Sequence, residues 1–283
     1  MKGPKHGSLI LASLLISQTL LAADGLVEVP FKLYRGYAIV VRGSVAGLAK
    51  LNFLIDTGAV PSVVDQRIAK KLKLSGTAEP LSIFSQNVQA QRVVLPDLQI
   101  GPVRAERLPV LVRDLAFIEA GLGVRIDAMV GLDVLGGSSF SIDYEANKIS
   151  FGPVQPSESA FPLEFGPGFV YATLAVQGQP IRLLVDTGAK DLVFFESRVH
   201  GKLAGFRNQG GKTSSNMGGE ASLQQVLLSE ARLGNTDLET LTAFLLDAPA
   251  QNVPGFDGLL GVRSLGLTRL SFDFERQTIS WER

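Results

Sequence analysis

The sequence predicts a mainly β protein of two similar lobes related by an internal duplication, with few short helices. Three observations carry this. A tetrapeptide occurs twice, Asp56-Thr57-Gly58-Ala59 and Asp186-Thr187-Gly188-Ala189, each closing an apolar, strand-like run, Leu51 to Ile55 and Ile181 to Val185. The offset between the copies, 186 − 56 = 130 residues, recurs downstream and pairs Asp127 with Asp257, Gly131 with Gly261, Leu135 with Leu265, Asp143 with Asp273 and Ile149 with Ile279. Short apolar runs punctuated by Gly, Pro, Asn and Asp fill the rest, the pattern of strands and turns.

The register between the copies slips once and recovers. Leu98-Gln99-Ile100-Gly101 matches Ala231-Arg232-Leu233-Gly234 at an offset of 133, so an insertion before this point is offset by a deletion after it. Surface loops tolerate such changes while the elements they join keep their places.

Along the chain, residues 1–23 read as a secretory signal peptide: Lys2 and Lys5 give the positive start, Ser8 to Leu21 is mostly apolar, and Ala22-Ala23 offers small residues for cleavage. The apolar run is short for a span of about 20 residues and Gln18 interrupts it; a retained anchor is the alternative. The first lobe is assigned to 24–153, a Pro-rich polar linker to 154–162 and the second lobe to 163–283. Strands are expected at Tyr37 to Val41, Leu51 to Ile55, Val93 to Leu95, Leu108 to Val112, Phe140 to Ile142 and Lys148 to Phe151, the last two flanking a hairpin loop at Asp143 to Asn147. The second copy repeats this hairpin with Leu270 to Phe272 and Thr278 to Trp281. Asp65 suits the cap of a helix from Gln66 to Leu72, with Ile68, Ala69 and Leu72 on one face. Its counterpart, Glu196 to Leu203, is interrupted by Gly201. A short helix is expected after each of Gly131 and Gly261.

Composition narrows the function. Lys plus Arg and Asp plus Glu number 27 each, without a basic run, so the footprint of a nucleic-acid binder is missing. The chain has no cysteine, which excludes disulfides, zinc-thiolate sites, thiol catalysis and lipidation at a cleavage-site cysteine. An exported fold of this kind, periplasmic or secreted, must be held by its core alone. His200 is the one histidine outside the leader, and its setting reads as a solvated surface rather than part of a Ser-His-acid triad. No His/Glu pair has metal-ligand spacing, so no metal is expected. Gly211-Lys212-Thr213 lacks the earlier glycine and the leading strand of a phosphate loop.

The repeated acid carries the chemistry. Two strands that each end in Asp-Thr-Gly can meet about a pseudo-twofold axis with their carboxylates side by side. Such a pair cannot easily ionise twice, so it shares one proton and offers a base and an acid without any cofactor. An isolated Asp-Thr-Gly is often only a turn; the duplicated frame is what gives it weight. Asp127 and Asp257 read as loop residues oriented by backbone hydrogen bonds, and Asp143 and Asp273 as hairpin-turn residues. Asp133 has no acidic counterpart, because Arg263 stands at the equivalent place, and a surface position is expected for it.

With apolar-Asp-Thr-Gly-Ala in each copy, then Met129-Val130-Gly131 and Leu259-Leu260-Gly261, the chain resembles the retropepsin-like and pepsin-like aspartic peptidases. Asp257-Gly258-Leu259-Leu260-Gly261 and Ser141-Ile142-Asp143-Tyr144 make it most similar to the bacterial retropepsin-like domains. The resemblance implies that Asp56 and Asp186 form a dyad that activates water against a peptide carbonyl. Thr57 and Thr187 would lock the two loops together, and Gly58 and Gly188 would let the backbone approach beneath the dyad. Ala59 and Ala189 carry no hydroxyl that could favour ionisation, which points to a dyad less acidic than pepsin's and to activity at mildly acidic to near-neutral pH.

One chain holding both aspartates would suffice as a monomer, with peptide or protein as substrate and no cofactor. Lobe termini in the family join an interlobe sheet, for which Ile149 to Phe151 and Ile279 to Trp281 are the candidates. The flap is left open. Residues 75–97 hold no Tyr, only Phe84, whereas Gly210-Gly211 and Gly218-Gly219 around Lys212 to Met217 read as a mobile glycine-rich loop. A catalytically silent bilobed peptide-binding or envelope-interaction protein is the rival reading.

Overall fold

The computed structural model describes residues 25–83, 86–156, 160–166, 168–203, 207–216, 219–238, 240–247 and 255–283. The expected signal peptide, Phe84 and Gly218 lie outside them. Two sheets account for the fold: one of thirteen strands that takes in the first lobe and the lobe junction, and one of ten strands in the second lobe.

Each lobe is organised around the strand that leads to its Asp-Thr-Gly. Leu48–Ile55 grows more buried toward its end and runs parallel to Ala128–Val130. Gln179–Asp186 runs parallel to Gly258–Gly261 in the same way. Strands inside a parallel pairing are covered on both faces, which is why these segments are continuous apolar runs rather than alternating ones. Val63–Asp65 then pairs antiparallel with Ala128–Val130 and parallel with Val103–Arg113. Leu192–Phe195 repeats the arrangement between Gly258–Gly261 and Leu241–Leu246.

The lobes are joined by strand pairing across their boundary. Phe140–Asp143 lies antiparallel to Arg269–Asp273, with Ser141 opposite Ser271, its own counterpart at the 130-residue offset. Lys148–Phe151 and Thr278–Glu282 flank this central pair. The segments expected to build the junction, Ile149 to Phe151 and Ile279 to Trp281, are therefore in it, but one strand out. The first arm of each hairpin crosses the boundary and the second is paired outward, with Val27–Pro30 and with Phe161–Pro162 respectively. Phe140 and Phe272, both fully buried, pack beneath the crossing with ring centroids 4.7 Å apart. The apolar core runs without a break from one lobe into the other.

Helices are short. Asp65 caps Gln66–Lys71, its Oδ1 accepting from Arg67 N at 2.8 Å. Glu196–Val199 is a single turn. A turn of helix, Leu132–Leu135, and a 3-10 turn, Val262–Leu265, follow Gly131 and Gly261. The helix Ala116–Leu122 starts at Leu115, which offers no side-chain cap, but Asp114 Oδ1 accepts from Ala116 N at 2.9 Å. Asp65 Oδ2 also accepts from Leu115 N at 3.0 Å, so one carboxylate contributes to the starts of two helices.

Each lobe carries a long hairpin, Thr77–Ile83 with Gln86–Ile100 and Arg207–Asn216 with Gly219–Leu228. The second corrects the expected glycine-rich loop. Gly210 and Gly211 belong to a paired strand and mark a register shift between Asn208 and Gly211, with Gly210 at φ +115, a conformation glycine accepts readily. Gly219 opens the return strand.

Candidate active site

Asp56 and Asp186 come together at the lobe boundary. Asp56 is buried, its N–H bonded to Val130 O at 3.0 Å, and Asp186 is partly open to the cleft. Gly58 N donates to Asp56 Oδ1 at 3.0 Å, while Gly188 N and Ala189 N donate to Asp186 Oδ1 at 2.8 and 2.9 Å. The two carboxyls are neighbours that hydrogen-bond to each other. Burial pushes both up, and the Asp186 charge pushes Asp56 further, well above the usual carboxylate range. Two like charges in a desolvated site disfavour double ionisation of such a pair.

The two threonines hold the loops in place. Thr57 Oγ1 donates to Val185 O at 2.7 Å and accepts from Thr187 N at 3.1 Å; Thr187 Oγ1 donates to Ile55 O at 2.9 Å and accepts from Thr57 N at 3.1 Å. Both are fully or nearly fully buried, so each bond satisfies a group that water cannot reach. The glycines are required by reciprocal close approach. A Cβ on Gly58 would lie 2.7 Å from Asp186 Cγ, and one on Gly188 would lie 2.5 Å from Asp56 Cγ. The later glycines matter for the same reason: a Cβ on Gly131 would strike Ala59 O, and one on Gly261 would lie 2.8 Å from Ala189 O.

The paired carboxyls form the floor of a cleft of about 780 Å³ whose lining is mainly apolar. Leu81 from the first hairpin and Thr213, Ala221 and Leu223 from the second all face it, so both lobes contribute their hairpin. Of the residues singled out for the flap, Gly210 and Gly211 are not in the lining. The helix Ala116–Leu122 supplies Phe117 and Ile118 and abuts the strand Arg207–Asn216 of the other lobe. Among the polar lining residues, Tyr37, Lys190 and Asp191 had no sequence signal as site residues. The one available hint was that Lys190-Asp191 stands where the first copy has Val60-Pro61, the sharpest break in the repeat close to the dyad.

The other acids hold backbone rather than join the pair. Asp127 Oδ2 accepts from Asn52 N, and Asp257 Oδ2 from Arg182 N, each at 2.9 Å. Asp143 and Asp273 accept backbone N–H groups of their own turns, from Ala146 at 2.7 Å and Arg276 at 2.9 Å. Asp133 is not the free surface residue expected. It is half-buried and takes both the N–H and the hydroxyl of Ser62, at 2.8 and 2.6 Å, while Ser62 Oγ accepts from Gly131 N at 3.0 Å. His200 is exposed.

A family model described as aspartyl protease matches residues 41–134 and again 172–263, each span holding one Asp-Thr-Gly and its later glycine. The chain belongs to the aspartyl protease family. In this aspartyl protease the two matched spans are the two lobes of one chain, which accounts for the 130-residue repeat. Membership brings peptidase chemistry and peptide substrates with it. No curated protein matches the chain. Among the described residues no helix is long and apolar enough to cross a membrane.

Proposed function

We propose that the chain is an exported aspartic endopeptidase in which Asp56 and Asp186 together activate a water molecule. The observation that carries the reading is the pair of neighbouring carboxyls, both pushed up by burial, that lines an open cleft. The ionised member takes a proton from water as it attacks the peptide carbonyl, and the protonated member gives its proton to the carbonyl oxygen. The tetrahedral intermediate then collapses with proton transfer to the departing amine, and the dyad is returned with one proton. No covalent intermediate with the enzyme is needed.

Burial of the pair supports this, since a dry site strengthens each proton transfer and keeps competing water out. The apolar lining favours substrates with apolar side chains beside the scissile bond. With both aspartates in one chain, a monomer is sufficient. The leader at residues 1–23 supports a periplasmic or secreted location.

The test is to incubate the purified chain with a diverse peptide mixture from pH 3 to 8 and identify new termini by mass spectrometry. Internal cuts that vanish in Asp56→Asn and Asp186→Asn proteins support the reading. A parent chain that cuts nothing, although it binds peptides in the cleft, favours the silent binding protein instead.

A further inference from the structure

The cleft has two chemically different ends, although its frame is duplicated. At one end Val60 and Pro61 follow the first Asp-Thr-Gly-Ala, and Val60 packs against Gly168 of the second lobe, where a Cβ would come within 2.8 Å of Val60 Cγ1. Leu81 lines the same lobe's hairpin, so this side is apolar. At the equivalent end across the pseudo-twofold axis the residues are Lys190 and Asp191.

This second end carries an excess of positive charge. Asp191 is already ion-paired with Lys212 of the second hairpin, which lies 3.8 Å above the Phe244 ring. Lys190 is exposed, lines the cleft and has no ion-pair partner among the described residues. Arg35 stands behind, bound to Gly121 O at 3.1 Å at the end of the helix that abuts the second hairpin. Tyr37 also lines the cleft, close enough to Asp191, Asp186 and Arg35 for their charges to act on its hydroxyl. Burial and the charges of Asp191 and Asp186 push its pKa up, so it remains a hydrogen-bond donor across the working range of the dyad.

An exposed, unpaired cation and a phenol donor beside an already ion-paired acid suit a carboxylate. From this asymmetry we propose that the Lys190 end of the cleft takes an acidic side chain of the substrate, Asp or Glu, while the Val60-Pro61 end takes an apolar one. The peptide would thereby be laid down in one direction across a dyad that is itself nearly symmetric. The proposal rests on the peptidase reading for its kinetic form, but not for its binding form.

The experiment compares peptides that differ only in Glu, Gln or Lys at each position around the scissile bond, using the parent, Lys190→Val and Lys190→Glu chains. Exposed ion pairs contribute up to about 1 kcal/mol, so the expected preference for Glu over Gln is roughly 2- to 5-fold in kcat/KM. It should fall on one side of the bond only, act through KM, shrink as salt is added, disappear in Lys190→Val and turn toward Lys in Lys190→Glu. A parent without a one-sided acidic preference, or a preference unchanged by Lys190→Glu, overturns the proposal. The same peptides are titrated into the Asp56→Asn chain by calorimetry. Glu-dependent binding that follows Lys190 in a parent without cleavage would keep the proposal and reject the peptidase reading. A chain that neither cuts nor binds these peptides overturns it.

Discussion

Thr57 and Thr187, 130 residues apart, exchange equivalent hydrogen bonds across the lobe boundary, each hydroxyl accepting the other's N–H at 3.1 Å. Each also donates to the carbonyl two residues before the other, Val185 O and Ile55 O. The duplication is thus closed on itself at the dyad, as it is at the Ser141–Ser271 pair in the junction sheet. These two closures fix the carboxyls in relation to each other.

Replacing Thr57 with Val keeps the shape but leaves Thr187 N–H and Val185 C=O without their partner. A buried unsatisfied group costs about 1–3 kcal/mol, so the loss in unfolding free energy should be roughly 2–5 kcal/mol. Urea unfolding with an unchanged m-value measures it, and Thr57→Ser should recover most of the loss. An unchanged midpoint in Thr57→Val would show that the exchange does not hold the lobes.

Gly188→Ala should damage cleavage far more than stability. The new methyl meets the Asp56 carboxyl, a side chain that can rotate away, but in doing so it leaves Asp186. A fall in kcat of about 100-fold or more is expected, in line with the contribution of a positioned acid–base group. The same holds for Gly58→Ala acting on Asp186. Parent-like kcat in both proteins would mean that the close approach has no functional role.

The dyad sets a distinctive pH dependence. Asp56 is raised above the unfolded value of about 3.9, so the native state keeps a proton that the unfolded chain releases. Stability should fall as pH rises from about 4 through the raised value, and Asp56→Asn should reduce that fall, leaving the part due to the buried Asp186, and exceed the parent in stability at neutral pH. Burial pushes Asp65, Asp143 and Asp273 up too, but bonds from Arg67, from Ala146 and Arg269, and from Arg276 outweigh it and hold all three low. Their contribution is lost only below about pH 4, on the acid side. Thermal melts from pH 3 to 8 for both proteins check the two signs. Activity needs one proton on the pair, so its optimum should be mildly acidic to near neutral; an optimum at about pH 2 would contradict the raised dyad.

Ser62→Ala removes a hydroxyl that both donates to Asp133 and accepts from Gly131 N–H. Burial already pushes the Asp133 carboxyl up despite the Ser62 bonds, so the loss should raise it further. A destabilisation of about 1–3 kcal/mol is expected from the orphaned groups. Because this network supports the first Asp-Thr-Gly loop only, it should be absent from the response of the second lobe, where Leu192 and Arg263 stand at the equivalent places.

The sequence makes the dyad and the lobe frame readable because duplication supplies an internal control: a motif found twice at one offset, with its distant glycine, is held to the same role twice. The capped helix at Asp65 is readable because its signal is local. The helix Ala116–Leu122 was missed although Asp114 gives it a local start signal, an Oδ1 accepting from Ala116 N; its other bond, from Asp65 50 residues upstream, is invisible in sequence. Ser62 with Asp133 and Lys212 with Asp191 were hidden for a related reason: each pair exists in one lobe only, so the repeat offers no second copy to point to it. Gly210 and Gly211 misled because glycine marks a strand bulge as well as a loop, and composition does not distinguish them.

The most direct measurement is kcat/KM on the best peptide substrate at one pH for the parent, Asp56→Asn and Asp186→Asn chains, each shown folded by circular dichroism. Both variants should fall by about 100-fold or more, by similar factors, because neither carboxyl can do the work of the shared pair alone. Parent-like turnover in either folded variant would contradict a shared Asp56–Asp186 dyad.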